Sequence, residues 1–309
     1  MCRQIWDPED TACYDSLLRV LGAKETWLFA GKILITFQEG DEAPAGSISW
    51  EGCGGFYVLS EAPSPLPPCG PIHDPCHPHN IREASGMDCC WQLGRAMIKC
   101  TKICDEFATR EHVTLDWVRE RMPSLVPKIY FQYEQDVYYY LIVSMPTTGD
   151  RLCNVWAKFG KKARHRSASG LARICRDLAQ WQGSSMTGVD GKEFLGPMPE
   201  DWVDSGLFDF SPETLQRNAE TVGMDCSTFV FHSIGIASPS SIFVDKKGNP
   251  IFIAEWECAG FMPRKWVLSS FFLTMHLAEF SHRDHRDKEQ DDYDWVLEFG
   301  RQLKAVGFN

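Results

Sequence analysis

The sequence predicts an α+β fold with two lobes, the first rich in strands and the second mainly helical. Short β-rich apolar runs separated by turn residues dominate the first half, and apolar residues at helical spacing dominate the second. The chain has 309 residues, 44% of them hydrophobic, which is enough for two lobes with a real core. We place the N-terminal lobe at residues 1–146 and the C-terminal lobe at residues 147–309.

The first half carries a strand pair that ends in a lysine. Residues 88–100 read DCCWQLGRAMIKC, which predicts a strand, a tight turn at Gly94 and a second strand with Lys99. Residues 109–118 have helical spacing and include Glu111. The other features predicted in this lobe are an antiparallel pair at 125–131 and 137–145, long loops at 39–55 and 60–87, and a hinge at 146–152.

The second half carries one strong hairpin signal among helices. The apolar runs 241–244 and 250–254 flank the turn-forming tetrad Lys246-Lys247-Gly248-Asn249, which predicts a β-hairpin. Apolar residues at helical intervals predict helices at 154–159, 167–181, 265–280 and 293–306.

Residues 255–266, EWECAGFMPRKW, directly follow this hairpin. They resemble the D-W-E-x-A-G-F-x-P-R-x-W tail of the aminoglycoside-phosphotransferase-like family, in particular its fungal branch, in which a loop H-x-D-x-x-P-x-N precedes the hairpin. The resemblance extends over about residues 90–266, with a weak match at 182–227 and none in the first 85 residues. It implies a bilobal protein-kinase-like fold in which Lys99 contacts a nucleotide and Glu111 pairs with that lysine.

The catalytic loop departs from the family pattern. Aligned backwards from Ile242, Ser241 takes the position of the metal-binding Asn and Ile236 that of the catalytic Asp. In the tail after the hairpin, Glu255 takes the position of the second metal-binding Asp. In phosphoryl transfer the Asp orients the hydroxyl nucleophile and accepts its proton. Isoleucine does neither, and general-base catalysis is worth about 10²- to 10⁴-fold, so the sequence predicts a severe loss of ordinary kinase activity.

Three functions remain open at this point. The first is a kinase-fold transferase repurposed for small-molecule biosynthesis, for instance one that takes amino acids from aminoacyl-tRNA to form a cyclic dipeptide. The second is a small-molecule phosphotransferase that uses ATP and magnesium held by Ser241 and Glu255. The third is a non-catalytic pseudokinase that binds a nucleotide or a protein through Lys99 and Glu111. The catalytic candidates for transfer are Ser240, Ser241, Glu255 and Glu257.

The net charge of −11 disfavours general binding of nucleic acids by the chain as a whole. One segment differs, since it concentrates positive charge within nine residues: Lys158, Lys161, Lys162, Arg164, His165 and Arg166. These side chains are candidates for phosphate contacts with tRNA, and the alternative is a solvated basic turn.

Thirteen cysteines, an odd number, and no secretory leader predict free thiols and a cytoplasmic location. The hydrophobic segments are too short to span a membrane. A proline-rich loop contains five side chains of the types that bind zinc, namely Cys69, His73, Cys76, His77 and His79. The alternative is an ordinary insertion loop without metal.

Overall fold

The computed structural model describes residues 14–72, 88–103, 106–193, 210–273 and 285–308. The chain forms two compact units. The first unit comprises Cys2–Glu106 and Lys128–Thr147, and the second comprises Phe107–Pro127 and Thr148–Asn309. Residues 107–127 precede the expected lobe boundary at residue 146 yet cluster with the second unit, and that boundary stays a prediction.

The first unit contains a six-stranded sheet and a four-stranded sheet, both antiparallel. The six-stranded sheet has the order β4-β5-β3-β2-β1-β6. Its strands are β1 (Leu17–Val20), β2 (Thr26–Phe29), β3 (Ile33–Glu39), β4 (Ser49–Gly52), β5 (Gly55–Glu61) and β6 (Cys69–Pro71). The four-stranded sheet, of order β7-β8-β10-β9, has β7 (Asp88–Leu93), β8 (Ala96–Lys102), β9 (Ile129–Gln135) and β10 (Tyr138–Ser144).

Both sheets bury aromatic and aliphatic side chains in one hydrophobic cluster. Trp27, Phe29 and Trp50 come from the six-stranded sheet, and Trp91 and Ile98 come from the four-stranded sheet. The two sheets therefore share a core, as the layers of a β-sandwich do. The sequence prediction of long loops at 39–55 and 60–87 was wrong for β4 and β6, because these strands of four and three residues are too short to show a clear alternation.

The second unit contains two three-stranded sheets, β11-β14-β15 and β12-β13-β16, and six helices among the described residues. The strands are β11 (Asp150–Arg151), β12 (Gln182–Gly183), β13 (Phe229–Ser233), β14 (Ile242–Val244), β15 (Pro250–Ile253) and β16 (Ala259–Pro263). The helices are α1 (Glu111–Arg119), α2 (Leu152–Val155), α3 (Lys161–Leu178), α4 (Pro212–Thr221), α5 (Trp266–Leu273) and α6 (His285–Ala305).

The predicted hairpin is confirmed as β14 and β15, which pair Ile242 with Ile253 and Phe243 with Phe252. Its turn forms because Gly248 adopts a left-handed conformation at φ 85° and the Asp245 side chain accepts the backbone N–H groups of Lys247 and Asn249, each at 2.8 Å. This turn fixes the register that places the residues following β15 beside those preceding β14.

The predicted fold class, α+β with a strand-rich first part and helices in the second, is confirmed. The long helix α3 packs against α6. The ring of Trp156, in a 3-10 turn before α3, meets the Trp295 ring of α6 edge to face at 5.3 Å between centroids. Within the described part of the chain, we find no helix with the length and apolar character needed to cross a membrane.

Candidate functional site

The hairpin brings the two predicted metal-ligand positions into direct contact. Ser241 directly precedes β14 and Glu255 lies two residues after β15, and the backbone N–H of Ala254 donates to the Ser241 carbonyl at 2.8 Å. The Ser241 hydroxyl donates to Glu255 Oε2 at 2.6 Å. Ser241 is fully buried, whereas Glu255 is half-buried. A short charge-assisted hydrogen bond therefore orients the Glu255 carboxylate.

A 3-10 turn, Ile234–Ala237, occupies the place expected for the catalytic base. Ile236, which aligns with the family's aspartate, is fully buried. The neighbouring Gly235 lies against the Glu255 carbonyl so closely that a Cβ at this position would overlap the oxygen. The turn is thus packed tightly onto the segment that carries Glu255, and the correspondence of Ile236 to the catalytic aspartate stays a prediction.

The loop between this turn and β14 is held by its own hydroxyls and by an arginine. The Ser238 and Ser240 hydroxyls lie 2.7 Å apart, and Arg151 Nη1 donates to the Ser240 carbonyl at 2.9 Å. Ser240 is half-buried, and Glu257 is exposed. Ser240 therefore offers a hydroxyl more accessible than that of Ser241, close in sequence to the Ser241–Glu255 pair.

Glu111 contacts the same segment from helix α1. It is the first residue of α1 and is buried, and its Oε1 accepts the backbone N–H of Trp256 at 3.1 Å. Sequence reasoning gave Glu111 a different partner, Lys99, which lies on β8 in the first unit and is also buried. The Lys99–Glu111 pair and its nucleotide contact stay predictions.

His232, two residues before the family's histidine position, lies in the middle of β13. It is buried, and neither ring nitrogen has a hydrogen-bond partner among the described residues. Burial lowers the pKa of His232 from 6.5 to about 3, because the charged form would lose its hydration. The imidazole is therefore neutral at physiological pH.

This buried histidine predicts acid sensitivity. Between pH 6.5 and pH 3 the unfolded chain binds a proton at His232 that the folded chain does not, so stability falls as the pH falls through this window. Between pH 7 and pH 5 we expect this group to cost about 2 kcal/mol of the free energy of unfolding. Urea titrations at the two pH values should show that the free energy of unfolding falls less in His232→Gln than in the wild type. Exposed His165→Gln is the control, and an equal loss in both variants would contradict the prediction.

Some side chains of the predicted basic segment, residues 158–166, contact acidic residues. Arg164 forms ion pairs with Asp294 at 2.9 Å and Asp291 at 3.5 Å, and its guanidinium lies over the Trp156 ring. His165 Nδ1 lies 2.9 Å from Glu298. Arg164 is therefore held between α3 and α6, and its phosphate contact stays a prediction.

The free positive charges instead come from two segments that the fold joins. Arg166 Nη1 donates to the Lys247 carbonyl at 2.6 Å, which holds the β14–β15 turn against α3. Within the described part of the chain, no carboxylate lies within ion-pair distance of the six residues that we call the basic surface, namely Lys158, Lys161, Lys162, Arg173, Lys246 and Lys247. Lys158, Lys161 and Lys162 belong to the predicted basic segment, whereas Arg173 lies outside it. The hairpin lysines were not predicted, because they approach α3 only through the tertiary fold.

Of the five predicted zinc ligands, Cys69 lies among the described residues. Its thiol donates to the Pro67 carbonyl at 3.3 Å, and burial raises its pKa, which disfavours the thiolate that zinc requires. His73, Cys76, His77 and His79 lie outside the described residues. The described residues contain no cluster of three or more potential metal-binding side chains.

Comparisons with known proteins find similarity only among solved structures. The chain is similar to the aminoglycoside phosphotransferase APH(3'')-Id from Streptomyces rimosus, with 14% identity and a TM-score of 0.42 over 74% of this chain and 92% of that one. An aminoglycoside-3'-phosphotransferase of type VIII has 15% identity and a TM-score of 0.40 over 72% and 94% of the two chains. No protein-family model matches the chain, and no curated protein matches it.

Proposed function

We propose that this protein is a small-molecule transferase on a phosphotransferase-type scaffold, and that it does not carry out conventional magnesium-dependent phosphoryl transfer. The observation that carries the proposal is the 2.6 Å hydrogen bond between Ser241 and Glu255. A carboxylate already bonded to a buried hydroxyl, next to the buried Ile236, is suited to accept a proton and poorly suited to hold two metal ions.

Roles for the site residues follow from their exposure. Glu255 is half-buried, so its carboxylate is assigned as the proton acceptor for an attacking amine or hydroxyl. Ser241 is fully buried and orients that carboxylate. Ser240 is assigned to contact the substrate, because its hydroxyl is partly accessible and Arg151 holds its backbone. The bond to the acceptor forms as the bond to the donor's leaving group breaks, and the acceptor's proton passes to Glu255, which returns it to the departing oxygen.

Aminoacyl-tRNA is the donor that we favour, because the basic surface supplies free positive charge on a chain of net charge −11. Lys162, Arg166 and Arg173 recur along α3 at helical spacing, and residues 162–173 span about 16 Å of helix axis. A stripe of that length, extended by Lys246 and Lys247, suits successive phosphates of a nucleic-acid backbone. An amine acceptor that attacks the aminoacyl ester gives a peptide and releases the tRNA. If the acceptor is itself an aminoacyl-tRNA, the free amine of the resulting dipeptidyl ester can attack that ester, which releases the second tRNA and closes a cyclic dipeptide.

The deciding experiment offers the purified protein two donors separately, ATP with magnesium or a pool of aminoacylated tRNAs. We expect a new small-molecule product, detected by mass spectrometry, from the aminoacyl-tRNA pool and no phosphate transfer from ATP. Magnesium-dependent transfer of phosphate to a small molecule would overturn the proposal in favour of a surviving kinase. Turnover of neither donor would refute aminoacyl-tRNA as the donor.

Charge reversal of the hairpin turn tests the basic surface. The double variant Lys246→Glu and Lys247→Glu should weaken tRNA binding, since both lysines are exposed without an acidic partner among the described residues. The slope of log affinity against log salt should fall by about two, one for each lost phosphate contact. Fluorescence anisotropy across a salt series measures both quantities.

The matched control reverses two exposed lysines of the same unit outside the basic surface, Lys265→Glu and Lys304→Glu, and changes the net charge equally. An equal loss in both double variants would assign the effect to overall charge, and the predicted local surface would then be wrong.

A further inference from the structure

The first unit contains an open pocket that no part of the proposed transfer chemistry uses. It lies on the six-stranded sheet and has a volume of about 610 Å³, within the size range of small-molecule sites. Its lining includes Arg19, Glu25, Trp27, Phe37, Cys53 and Tyr57. The residues come from β1, β2, β3 and β5 and from the turns between strands.

Three aromatic rings form one wall of the pocket. The Tyr57 ring lies 5.8 Å from the Trp27 ring and 5.1 Å from the Phe37 ring, centroid to centroid. Gly52 and Gly94 hold the tyrosine in place, because a Cβ at either position would lie 2.8 Å from its Cε2 atom. Side chains at these two positions would displace the ring, so the glycines define the shape of the wall.

Opposite charges stand beside this wall. Arg19 is exposed and lies across from Trp27 in the β1–β2 register. Glu25 is half-buried, and its backbone carbonyl accepts the N–H of Phe37 at 2.9 Å. The side chains of both have no ion-pair partner among the described residues, whereas Glu39, also in the lining, is paired with Lys24 at 2.9 Å. Within the described part of the chain, Arg19 and Glu25 are therefore the charged side chains of the lining that have no ion-pair partner.

The backbone of Glu25 adopts an unfavourable conformation. Glu25 has φ 44°, in the left-handed region that side chains other than glycine rarely adopt. The residue lies in the turn that leads into β2, and this conformation sets the direction in which its side chain leaves the backbone. The pKa of the Tyr57 hydroxyl is raised, mainly by burial and secondly by the negative charge of Glu25. The hydroxyl therefore stays protonated and can donate a hydrogen bond into the pocket.

We propose that this pocket binds a small zwitterion with an aromatic or apolar side chain, that is, a free α-amino acid or a short linear peptide. Arg19 pairs with the carboxylate, Glu25 pairs with the ammonium group, and the side chain packs on Trp27, Phe37 and Tyr57. A simple anion would leave Glu25 without a partner, and a simple cation would leave Arg19 without one. The volume of the pocket admits either a single amino acid or a dipeptide.

Calorimetric titration with chosen ligands tests the charge requirement. The probes are phenylalanine and the dipeptide Phe-Phe, with phenethylamine, 3-phenylpropionate and N-acetylphenylalanine amide as relatives that lack one or both charges. We expect binding of a zwitterion and about 10- to 100-fold weaker binding of each relative. The tighter of the two zwitterions identifies the free amino acid or the peptide. Failure of both to bind the folded protein at millimolar concentrations would overturn the proposal.

Substitutions locate the binding. Arg19→Gln and Glu25→Gln should each weaken binding of the zwitterion by about 10- to 100-fold. Glu61→Gln, which removes an exposed carboxylate from β5 outside the lining, is the control and should bind as the wild type does. Equal affinity in all three variants would place the ligand elsewhere and overturn the proposal.

Cys53 supplies an independent readout, because it is exposed and lines the pocket. Bound zwitterion should slow its alkylation by iodoacetamide, measured by peptide mass mapping, while phenethylamine at the same concentration should not. Unchanged alkylation of Cys53 at saturating zwitterion would contradict occupation of this pocket.

Discussion

Replacing Ile236 by aspartate should destabilise the protein rather than create a kinase. The sequence alignment alone favours the opposite outcome, since the substitution restores the family's catalytic residue. Ile236 is fully buried in a 3-10 turn whose Gly235 lies directly against the Glu255 carbonyl. Aspartate there loses the packing of the isoleucine and buries a carboxyl group, for a combined cost of roughly 3–5 kcal/mol.

Urea unfolding of the variant measures this cost directly. Ile236→Val is the matched control, because it keeps an apolar side chain and should lose only about 0.5–1.5 kcal/mol. A second assay follows magnesium-dependent phosphate transfer from ATP in both variants. A stable Ile236→Asp protein that gains phosphate transfer would show that position 236 reaches a working catalytic site, and our assignment of the function would then be wrong.

The features that the sequence predicted well depend on residues close together in the chain. The β14–β15 hairpin follows from a four-residue turn. The Asp245 side chain accepts backbone N–H groups of this turn, and Gly248 adopts the left-handed conformation that the turn requires. The strand pair β7–β8 likewise follows from Gly94, which has φ 55°. Turn residues and the spacing of apolar residues are both local features of the chain, so one sequence is enough to predict these strand pairs.

The features that were missed depend on residues far apart in the chain. The bond from Trp256 to Glu111 joins positions 145 residues apart, and the ion pair of Arg164 with Asp294 joins positions 130 residues apart. Neither partner carries a local signal for the other, so neither bond was predicted; the pairing of Glu111 with Lys99 and the phosphate contact of Arg164 stay predictions. The pocket beside Trp27 was missed for the same reason, because its lining comes from several strands and turns.

The Ser241–Glu255 pair was predicted as two metal-ligand positions but not as a bond between them. Family resemblance gives the positions, whereas the hydrogen bond depends on side-chain length. Glutamate extends the carboxylate by one methylene beyond aspartate, and this extension allows the 2.6 Å contact with a short serine.

Replacing Glu255 by glutamine should reduce the rate of transfer by about 10²- to 10⁴-fold, the usual contribution of a general base. Glutamine keeps the size of the side chain and can still accept the Ser241 hydrogen bond at its oxygen, so the fold should persist. The loss therefore isolates the ability of residue 255 to take a proton. The measurement is the rate of product formation with aminoacyl-tRNA as donor, beside a urea titration that checks stability.

Two further variants separate proton transfer from positioning. Ser241→Ala removes the hydroxyl that orients the carboxylate but leaves the base, so its loss of rate should be smaller than that of Glu255→Gln. Glu255→Asp keeps a base but cannot make the same contact with Ser241. Its rate of transfer should lie between those of Ser241→Ala and Glu255→Gln. If Glu255→Gln retains the wild-type rate, another group accepts the proton, and the Ser241–Glu255 pair then only holds the hairpin to the segment that follows it.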